Sequence, residues 1–294
     1  MSTPIATEYS TDTLLGMMNQ YYAMLGRDKL NYRYMPNTTI NKKYNCFPAS
    51  DAGSGNWINI PRDANNNPVS PTIGYFGIGI RGFYNITADD EISPLSQPYS
   101  PKATEMDLYR PIPIRCVPKG YDLTATERSK YRLRTEMTVD GETYICYWLK
   151  KLEFDSNLNI VQIDGAGNES SYDIDDNVDN LTPVPQAPTT PEVSTGSSKV
   201  IIAANIKCEL EGREVLEAIN VIYHGDLRRA KISEWGIYTG GDMQVQALDG
   251  TNYTEALYVQ LAAKRCTTGV DMSNSSAVQQ EILTIQNGNL LLLN

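Results

Sequence analysis

The stretch RLRTEMTVDGETYICYWLKKL, residues 132–152, predicts a β-hairpin near the middle of the chain. Asp140 and Gly141 are the kind of residues that a two-residue hairpin turn prefers, because such a turn needs positive φ angles. They separate one arm at 132–139 from a second arm at 143–152. The second arm is rich in aromatic and β-branched side chains and is the strongest strand signal in the first half of the chain. We therefore expect a mainly β fold.

Turn-forming residues on the N-terminal side of this hairpin leave room only for short strands and long loops. Residues 31–118 are crowded with Asn, Pro, Gly and Ser around short apolar runs such as 73–84. Six prolines fall between 94 and 118, and proline removes amide donors and favours an extended backbone. We predict an extended strap at 94–118 that lies across another surface.

Two helices are predicted in the first half of the chain. Thr124 and Glu127 have the spacing of a capping box and predict a short helix. Near the N-terminus, apolar residues recur at helical spacing between a cap at residues 10–12 and Gly26. This amphipathic helix either packs on its own domain or extends as an arm onto a neighbouring molecule. Its apolar residues are Leu14, Leu15, Met17, Met18, Tyr21, Tyr22 and Leu25.

A run rich in proline, threonine and serine, PVPQAPTTPEVSTGSS at 183–198, predicts a linker, because such a composition cannot build a core. We therefore expect an N-terminal helical arm at 1–30, a loop-rich β domain at 31–182 and a C-terminal β-rich domain at 199–294. The C-terminal domain is predicted to be β-sandwich-like or α+β. Its expected elements are strands at 200–210, 231–238, 255–264, 280–286 and 290–293 and a turn at 211–212. Residues 213–223 fit either a strand or a helix, and we favour a helix at 213–219.

Composition limits the class of protein. The chain has 294 residues, 41% of them hydrophobic, with no apolar run near the roughly 20 residues that a membrane span needs, and its N-terminus does not have the pattern of a secretory signal. A net charge of −10 opposes nucleic acid as the main partner. The five cysteines are widely spaced without a C-x-x-C pair, which indicates reduced thiols rather than a disulfide framework or a zinc site.

Two motifs fit a ligand site only in part. Residues 77–82 read GIGIRG, but no amphipathic helix follows to bind a phosphate, so these glycines instead indicate a bend or a close approach of backbones in a sheet. The runs beginning at Asp155 and Asp173 alternate oxygen ligands like a calcium loop. Both lack the glycine and the glutamate that such a loop requires. We expect a solvated acidic loop at 173–179, with a weak cation site as the alternative.

No catalytic signature is found in the sequence. His224 is the only histidine and lies in the turn-like sequence YHGD at 223–226, with no Gly-x-Ser-x-Gly motif for it to serve. We interpret it as a loop histidine with a structural hydrogen bond. A pair of carboxylates for a hydrolase would be a spatial pattern, and nothing in the sequence points to one pair. We therefore expect no enzyme, no cofactor and no metal ion.

The sequence resembles virion structural proteins of tailed bacteriophages in its Asn- and Tyr-rich composition and its proline-rich strap. The more specific likeness is AKISEWGIYTG at 230–240, followed by residues 242–250 and a strand around Tyr258. This pattern is similar to the ISEIGLF strand, turn and second strand of tail and baseplate attachment domains. The likeness covers about 35 residues, and it departs at Trp235, where an aliphatic residue is commoner.

The resemblance implies a non-enzymatic structural component of the virion, in the baseplate, tail or neck, which is assembled in the host cytoplasm. Its partners would be copies of itself and other virion structural proteins. An excess of 19 tyrosines over 4 phenylalanines suits subunit contacts, although it equally suits β-sheet. The candidate contact residues on the helix and the strap are Leu14, Met17, Met18, Tyr21, Tyr22, Tyr99, Tyr109 and Ile112.

Two alternatives belong to other functional classes. A β-sandwich module that binds host-surface glycans, like an adhesin, would use exposed aromatic faces with Asn and Asp on loops. A carboxylate-dependent hydrolase would need two buried acids that face a cleft.

Overall fold

The computed structural model describes residues 8–25, 29–31, 57–59, 65–66, 71–86, 95–154, 159–164, 166–171, 199–246 and 252–290. Strands dominate these residues, which confirms the mainly β fold. Among the described residues, no helix has the length and apolar character needed to cross a membrane. The predicted linker at 183–198 and the acidic segment at 173–179 lie outside the described residues.

The elements of the first half begin with a short strand and a helix, followed by further strands, several of them short. They are β1 (Glu8–Asp12), α1 (Leu14–Met24), β2 (Lys29–Asn31), β3 (Trp57–Asn59), β4 (Thr72–Gly79), β5 (Phe83–Ile86), β6 (Leu95–Pro98), β7 (Pro111–Ile112), β8 (Arg115–Pro118), α2 (Ala125–Arg128), β9 (Tyr131–Val139) and β10 (Glu142–Lys151).

The second half contains longer strands and one well-formed helix. Its elements are β11 (Glu153–Phe154), β12 (Asn159–Ile163), β13 (Glu169–Ser171), β14 (Lys199–Glu211), α3 (Gly212–Ile222), β15 (Lys231–Gln246), β16 (Asn252–Asp271) and β17 (Val278–Leu290). The predicted strand at 200–210 and the predicted helix at 213–219 are confirmed. The predicted turn at 211–212 is instead the start of α3, with Glu211 as its N-cap.

The chain forms two compact units, of which the first comprises residues 1–152 and 210–279. Its centre is an eight-stranded sheet in the order β1-β16-β15-β4-β10-β8, with β7 also paired to β4 and β9 to β10. Every pairing in this sheet is antiparallel. One core cluster includes Tyr75 of β4, Leu149 of β10 and Tyr238 of β15. Its buried apolar side chains therefore come from strands on both sides of the predicted linker.

The second unit comprises residues 153–209 and 280–294. Its sheet has the order β11-β14-β12-β13, and β17 also pairs with β14. Ile206 and Cys208 of β14 are fully buried. The predicted strand at 280–286 lies within β17, which continues to Leu290. Of the predicted strand at 290–293, residues 291–293 lie outside the described residues.

The predicted hairpin is confirmed as β9 and β10, in register from Glu142 opposite Val139 to Lys150 opposite Tyr131. Asp140 and Gly141 have φ angles of 52° and 84°. Positive φ at both central turn positions is the requirement that the Asp-Gly pair indicated.

The structure divides the chain differently from the predicted domain boundaries. β15 lies between β4 and β16 in the sheet, so residues from 31–182 and from 199–294 share one unit. The N-terminal segment is also not a separate arm, because β1 pairs with β16 and the Thr13 N–H donates to the Ala262 carbonyl at 2.8 Å. Strand pairing between distant segments, which composition does not reveal, determines these boundaries.

Candidate interaction surface

Helix α1 begins one residue after the cap that the sequence suggested. Residues 10–12 belong to β1, and the Thr13 hydroxyl oxygen accepts the Gly16 N–H at 3.1 Å. This bond satisfies one of the amide groups that lack a partner at the start of a helix. The Leu14 N–H donates to the Ala103 carbonyl at 2.9 Å, so the helix begins against the strap.

The described side chains of α1 that pack on β16 are small or polar. Thr13, Gly16 and Asn19 are buried, and the Thr13 hydroxyl donates to the Leu261 carbonyl. A Cβ atom on Gly16 would lie 2.4 Å from the Ala262 Cα, which is closer than two carbon atoms can pack. Gly16 therefore permits a close approach of the helix to the strand.

The opposite face of α1 is apolar and exposed. Met17 and Met18 are half-buried, and the side chains of Leu15 and Tyr22 lie outside the described part of the chain. A surface helix normally turns its apolar side chains toward the core, so this arrangement leaves an apolar surface open for a partner. The outer face of α1 is defined here as Leu14, Tyr21, Met24 and the residue that follows the helix, Leu25, which are 48%, 59%, 72% and 66% exposed.

A second exposed feature is a row of three tyrosines, defined here as Tyr84, Tyr99 and Tyr109. The ring centroids of Tyr84 and Tyr99 are 5.0 Å apart, and those of Tyr99 and Tyr109 are 5.4 Å apart. Tyr84 and Tyr109 are each 38% exposed, and Tyr99 is half-buried. Two of the predicted contact residues, Tyr99 and Tyr109, therefore lie side by side.

Ile112 does not belong to this surface. It is only 1% exposed, and it lines a small, partly open pocket of about 20 Å³ together with Leu108 and Trp148. Its strand, β7, pairs with β4, so the side chain points into the core of its own sheet. The prediction of Ile112 as a subunit contact is therefore corrected: it is a core residue.

A buried lysine lies against one ring of the tyrosine row, that of Tyr109. The Lys264 ammonium group is 3.0 Å from the Tyr109 ring centroid and donates to the Glu105 carboxylate at 3.1 Å. The Tyr109 hydroxyl also donates to Glu105, at 2.8 Å. Burial and this hydrogen bond raise the pKa of Tyr109 above its ordinary value, so its hydroxyl stays protonated at neutral pH.

Glu234 holds the strap on the sheet. Its fully buried carboxylate accepts the backbone N–H groups of Tyr109 at 2.5 Å and of Arg110 and Arg81 at 3.0 Å each. The Lys264 ammonium group lies 3.5 Å from the same carboxylate. The strap packs on strands of its own chain. The surface that it was predicted to cross therefore belongs to the same molecule.

Sequence reasoning identified neither Glu234 nor Lys264. Glu234 is the acidic residue of the AKISEWGIYTG segment, and the two residues before and after it, Ser233 and Trp235, are also buried. A charged residue next to the large apolar residue Trp235, in a segment with strand character, is the signal that could have identified it, because a buried charge needs bonded partners.

The glycines of the GIGIRG motif allow this close packing. A Cβ atom on Gly79 would meet the Glu234 carboxylate at 2.5 Å, and one on Gly82 would meet the Ser233 carbonyl oxygen at 1.9 Å. The Gly82 N–H also donates to the Ser233 hydroxyl at 2.8 Å. The interpretation of these glycines as a close approach of backbones is confirmed.

Another buried acid, Glu214 of α3, has a comparable structural setting. The Lys150 ammonium group donates to both of its oxygens, at 2.9 and 3.0 Å, and the Tyr131 hydroxyl donates to one of them. The Glu211 N–H donates to it as well, at 2.9 Å, which completes the capping box of α3. These bonds tie α3 to the β9–β10 hairpin.

His224 lies on the surface, where its Nδ1 is 3.3 Å from the Asp140 carboxylate in the hairpin turn. Within the described ranges, no group of three His, Cys, Asp or Glu side chains is placed to hold a metal ion. Of the two calcium-like runs, Asp155, Asn157 and the whole of 173–184 lie outside those ranges.

The fold and surface define a mainly β protein with an exposed apolar helix face and buried acids that bind backbone amides. The chain belongs to a family of unknown function, DUF7208, whose sequence profile matches residues 1–286. No curated protein and no solved structure matches the chain.

Proposed function

We propose that this chain is a non-enzymatic structural subunit of a tailed bacteriophage virion, in the tail, baseplate or neck. Copies of the chain associate through the outer face of α1, and other virion proteins complete the assembly. The observation that carries this proposal is the exposure of Leu14, Tyr21, Met24 and Leu25 on a helix whose described inner side chains are small or polar.

The composition of the outer face of α1 suits a protein interface. Aromatic residues and methionine are enriched at the centres of such interfaces, and charged residues are depleted there. The face contains one tyrosine, one methionine and two leucines and has no charged side chain. Clusters of exposed apolar side chains on a stable protein commonly mark interaction sites.

The buried ionic contacts support a scaffold role as well. Glu234 binds the strap to β15, and Glu214 binds α3 to the hairpin. Each carboxylate bonds to backbone amides of its own chain, and such fixed bonds favour one rigid arrangement of the loops. A rigid subunit with an open apolar face is suited to repeated, identical contacts.

The direct test is the solution mass of the full-length chain by light scattering over a range of concentrations. We expect a multiple of the 32.7 kDa chain mass. The double substitution Tyr21→Ser and Met24→Ser should return the chain to the mass of one copy. Tyr121→Ser with Leu227→Ser is the matched control, because both residues are exposed and lie outside α1.

A wild-type chain that stays a single copy at all concentrations would overturn self-association through α1. The virion location is tested separately, by probing tailed particles from the strain that encodes the chain with an antibody against it. Particles without the chain would overturn the virion role even if the chain self-associates.

A second candidate function, glycan binding, is favoured by the row of Tyr84, Tyr99 and Tyr109. Aromatic faces with adjacent polar groups are common in binding sites, and this row is exposed and backed by Lys264 and Glu105. A glycan array with the wild-type chain and a Tyr84→Ala variant tests it. Binding that the variant loses would favour an adhesin, and no binding to any glycan would remove this candidate.

A further inference from the structure

Two cysteines face each other across the pair of strands β8 and β10. Cys116 is directly opposite Cys146 in the antiparallel register, between the pairs Val117 with Ile145 and Arg115 with Tyr147. Directly opposed residues in such a ladder have Cα atoms about 4.5–5.5 Å apart. This spacing lies within the range of about 4.4–6.8 Å that a disulfide requires.

The two sulfur atoms are also close. The Cys116 Sγ lies 2.6 Å from the Cys146 Sγ, and both thiols are free and buried. Two sulfur atoms that share no bond do not normally approach so closely, whereas a disulfide bond is about 2.05 Å long. The strand positions therefore allow the bond with only a small movement of the side chains.

The pair is covered by α3. Ala218 of this helix belongs to the same buried cluster as the two cysteines, and Val221 and Ile222 pack against it. Arg115, next to Cys116, donates two hydrogen bonds to Glu217 of α3, at 2.6 and 3.0 Å. Two hydrogen bonds between the oppositely charged side chains of Arg115 and Glu217 therefore hold the helix over the thiols.

We propose that Cys116 and Cys146 form a cross-strand disulfide when the chain meets a low-molecular-weight disulfide such as oxidised glutathione. One cysteine thiolate attacks the glutathione disulfide, forms a mixed disulfide and releases one glutathione. The second cysteine thiolate then attacks the protein-bound sulfur and releases the other glutathione. The protein loses two electrons and two protons, and one oxidised glutathione becomes two reduced glutathiones.

The environment of the pair makes this reaction depend on opening of the fold. The hydrogen bond to Cys146 and burial raise the pKa of the Cys116 thiol, and only the thiolate attacks a disulfide. The bond therefore forms during folding, or when α3 lifts from β8. Once formed, it is shielded from reduction by the same helix.

The experiment refolds the full-length chain with oxidised glutathione, after Cys46→Ser has removed the cysteine that lies outside the described residues. Free thiols are then blocked, and the chain is cut with trypsin without reduction. We expect a linked pair of peptides, residues 116–119 joined to residues 135–150, by mass spectrometry. Cys116→Ser and Cys146→Ser should each abolish it, and Cys208→Ser and Cys266→Ser should leave it in place.

Two results would overturn the proposal. One is a chain that regains its β-sheet circular dichroism without the linked peptides. The other is Cys116 joined equally to Cys208 or Cys266, which would indicate random pairing.

A second measurement follows the reaction of the folded chain with oxidised glutathione. Glu217→Gln should speed formation of the link several-fold by loosening α3, and Arg213→Gln, an exposed position on the same helix, should not. Equal rates in the two variants would contradict the role of α3 as the cover of the thiol pair.

Discussion

The backbone N–H of Leu133, a residue with φ of 55°, donates to the carboxylate of Glu255 at 2.5 Å. Arg134 and Ala256 donate their N–H groups to the same carboxylate, at 3.1 and 2.8 Å. A leucine at positive φ is strained, and such a conformation persists only where surrounding contacts fix it. Glu255 of β16 therefore stabilises an irregular point in β9.

Glu255→Ala should lower the free energy of unfolding by about 2–4 kcal/mol, because it leaves three backbone donors without their acceptor in a buried site. Chemical denaturation measures the change. Glu136→Ala is the matched control: Glu136 is exposed on β9 and forms a surface ion pair with Lys119, so we expect a change within about 0.5 kcal/mol. Equal effects of the two substitutions would refute the assigned role.

Substitutions of Glu234 and Lys264 should have non-additive effects on the free energy of unfolding. Both side chains are fully buried, and their charged groups lie 3.5 Å apart. Glu234→Gln replaces one acceptor oxygen with a donor group that faces backbone N–H groups, and it leaves Lys264 without this partner. We expect the free energy of unfolding to fall by about 3–5 kcal/mol and trypsin to cleave faster at Lys102 in the strap. The double variant with Lys264→Met should lose less than the sum of the single effects, and strict additivity would contradict the coupling.

Asp242 should make the fold sensitive to acid. Burial by itself would raise its pKa, but hydrogen bonds from Arg132, Lys151 and Tyr75 outweigh burial and hold the pKa below its ordinary value. The ionised carboxylate therefore stabilises the fold above the unfolded pKa of about 3.9, and this contribution is lost as the pH falls below that value.

Denaturant unfolding at pH 7 and pH 3 tests the effect of Asp242. Asp242→Asn should reduce the difference in unfolding free energy between the two pH values by roughly 1–2 kcal/mol. Asp140→Asn, at an exposed turn position, should leave the difference unchanged. An unchanged difference in Asp242→Asn would show that other groups cause the acid sensitivity.

Alanine substitutions at Gly141 and Gly120 distinguish the effect of backbone strain from the effect of steric crowding. A Cβ atom would meet no neighbour within 4 Å at either position, but only Gly141 has a positive φ, of 84°. Gly141→Ala should therefore lower the free energy of unfolding by about 1 kcal/mol, whereas Gly120→Ala should leave it unchanged or raise it slightly. The reverse order in calorimetry would exclude the turn conformation as the cause.

Gly16→Ala should destabilise the chain although alanine is the better helix former by about 1 kcal/mol. The added Cβ atom would collide with Ala262, so α1 would have to move away from β16. We expect a net loss of about 1–3 kcal/mol in denaturant unfolding. Gln20→Ala on the same helix should show only the small gain from helix propensity, and a gain in both variants would disprove the close packing.

The elements that could be predicted from sequence are those whose signals are local. The hairpin was found because Asp140 and Gly141 lie between two strand-like arms, and α1 was found from its apolar spacing. β1 was missed, because its sequence EYSTD is polar and its pairing with β16 depends on residues far along the chain.

The candidate surface was predicted only in part for the same reason. Helical spacing selected Leu14 and Tyr21 as apolar, but it did not reveal that Gly16 and Asn19 form the buried side. From the sequence alone, Ile112 was interpreted as an exposed residue of the strap. Its burial became evident only from the pairing of its strand with β4. The partners of Glu234 are likewise distant in sequence, because two of its backbone donors, Tyr109 and Arg110, lie on the strap more than a hundred residues earlier in the chain.

The position of β15 between β4 and β16 has a consequence for synthesis of the chain. When β4 and the β9–β10 hairpin have left the ribosome, the strand that will pair with the free edge of β4 has yet to be made. During that interval β4 presents unpaired amide and carbonyl groups to any nearby nascent copy. Completion of the sheet therefore depends on residues 231–246 arriving before a second chain does.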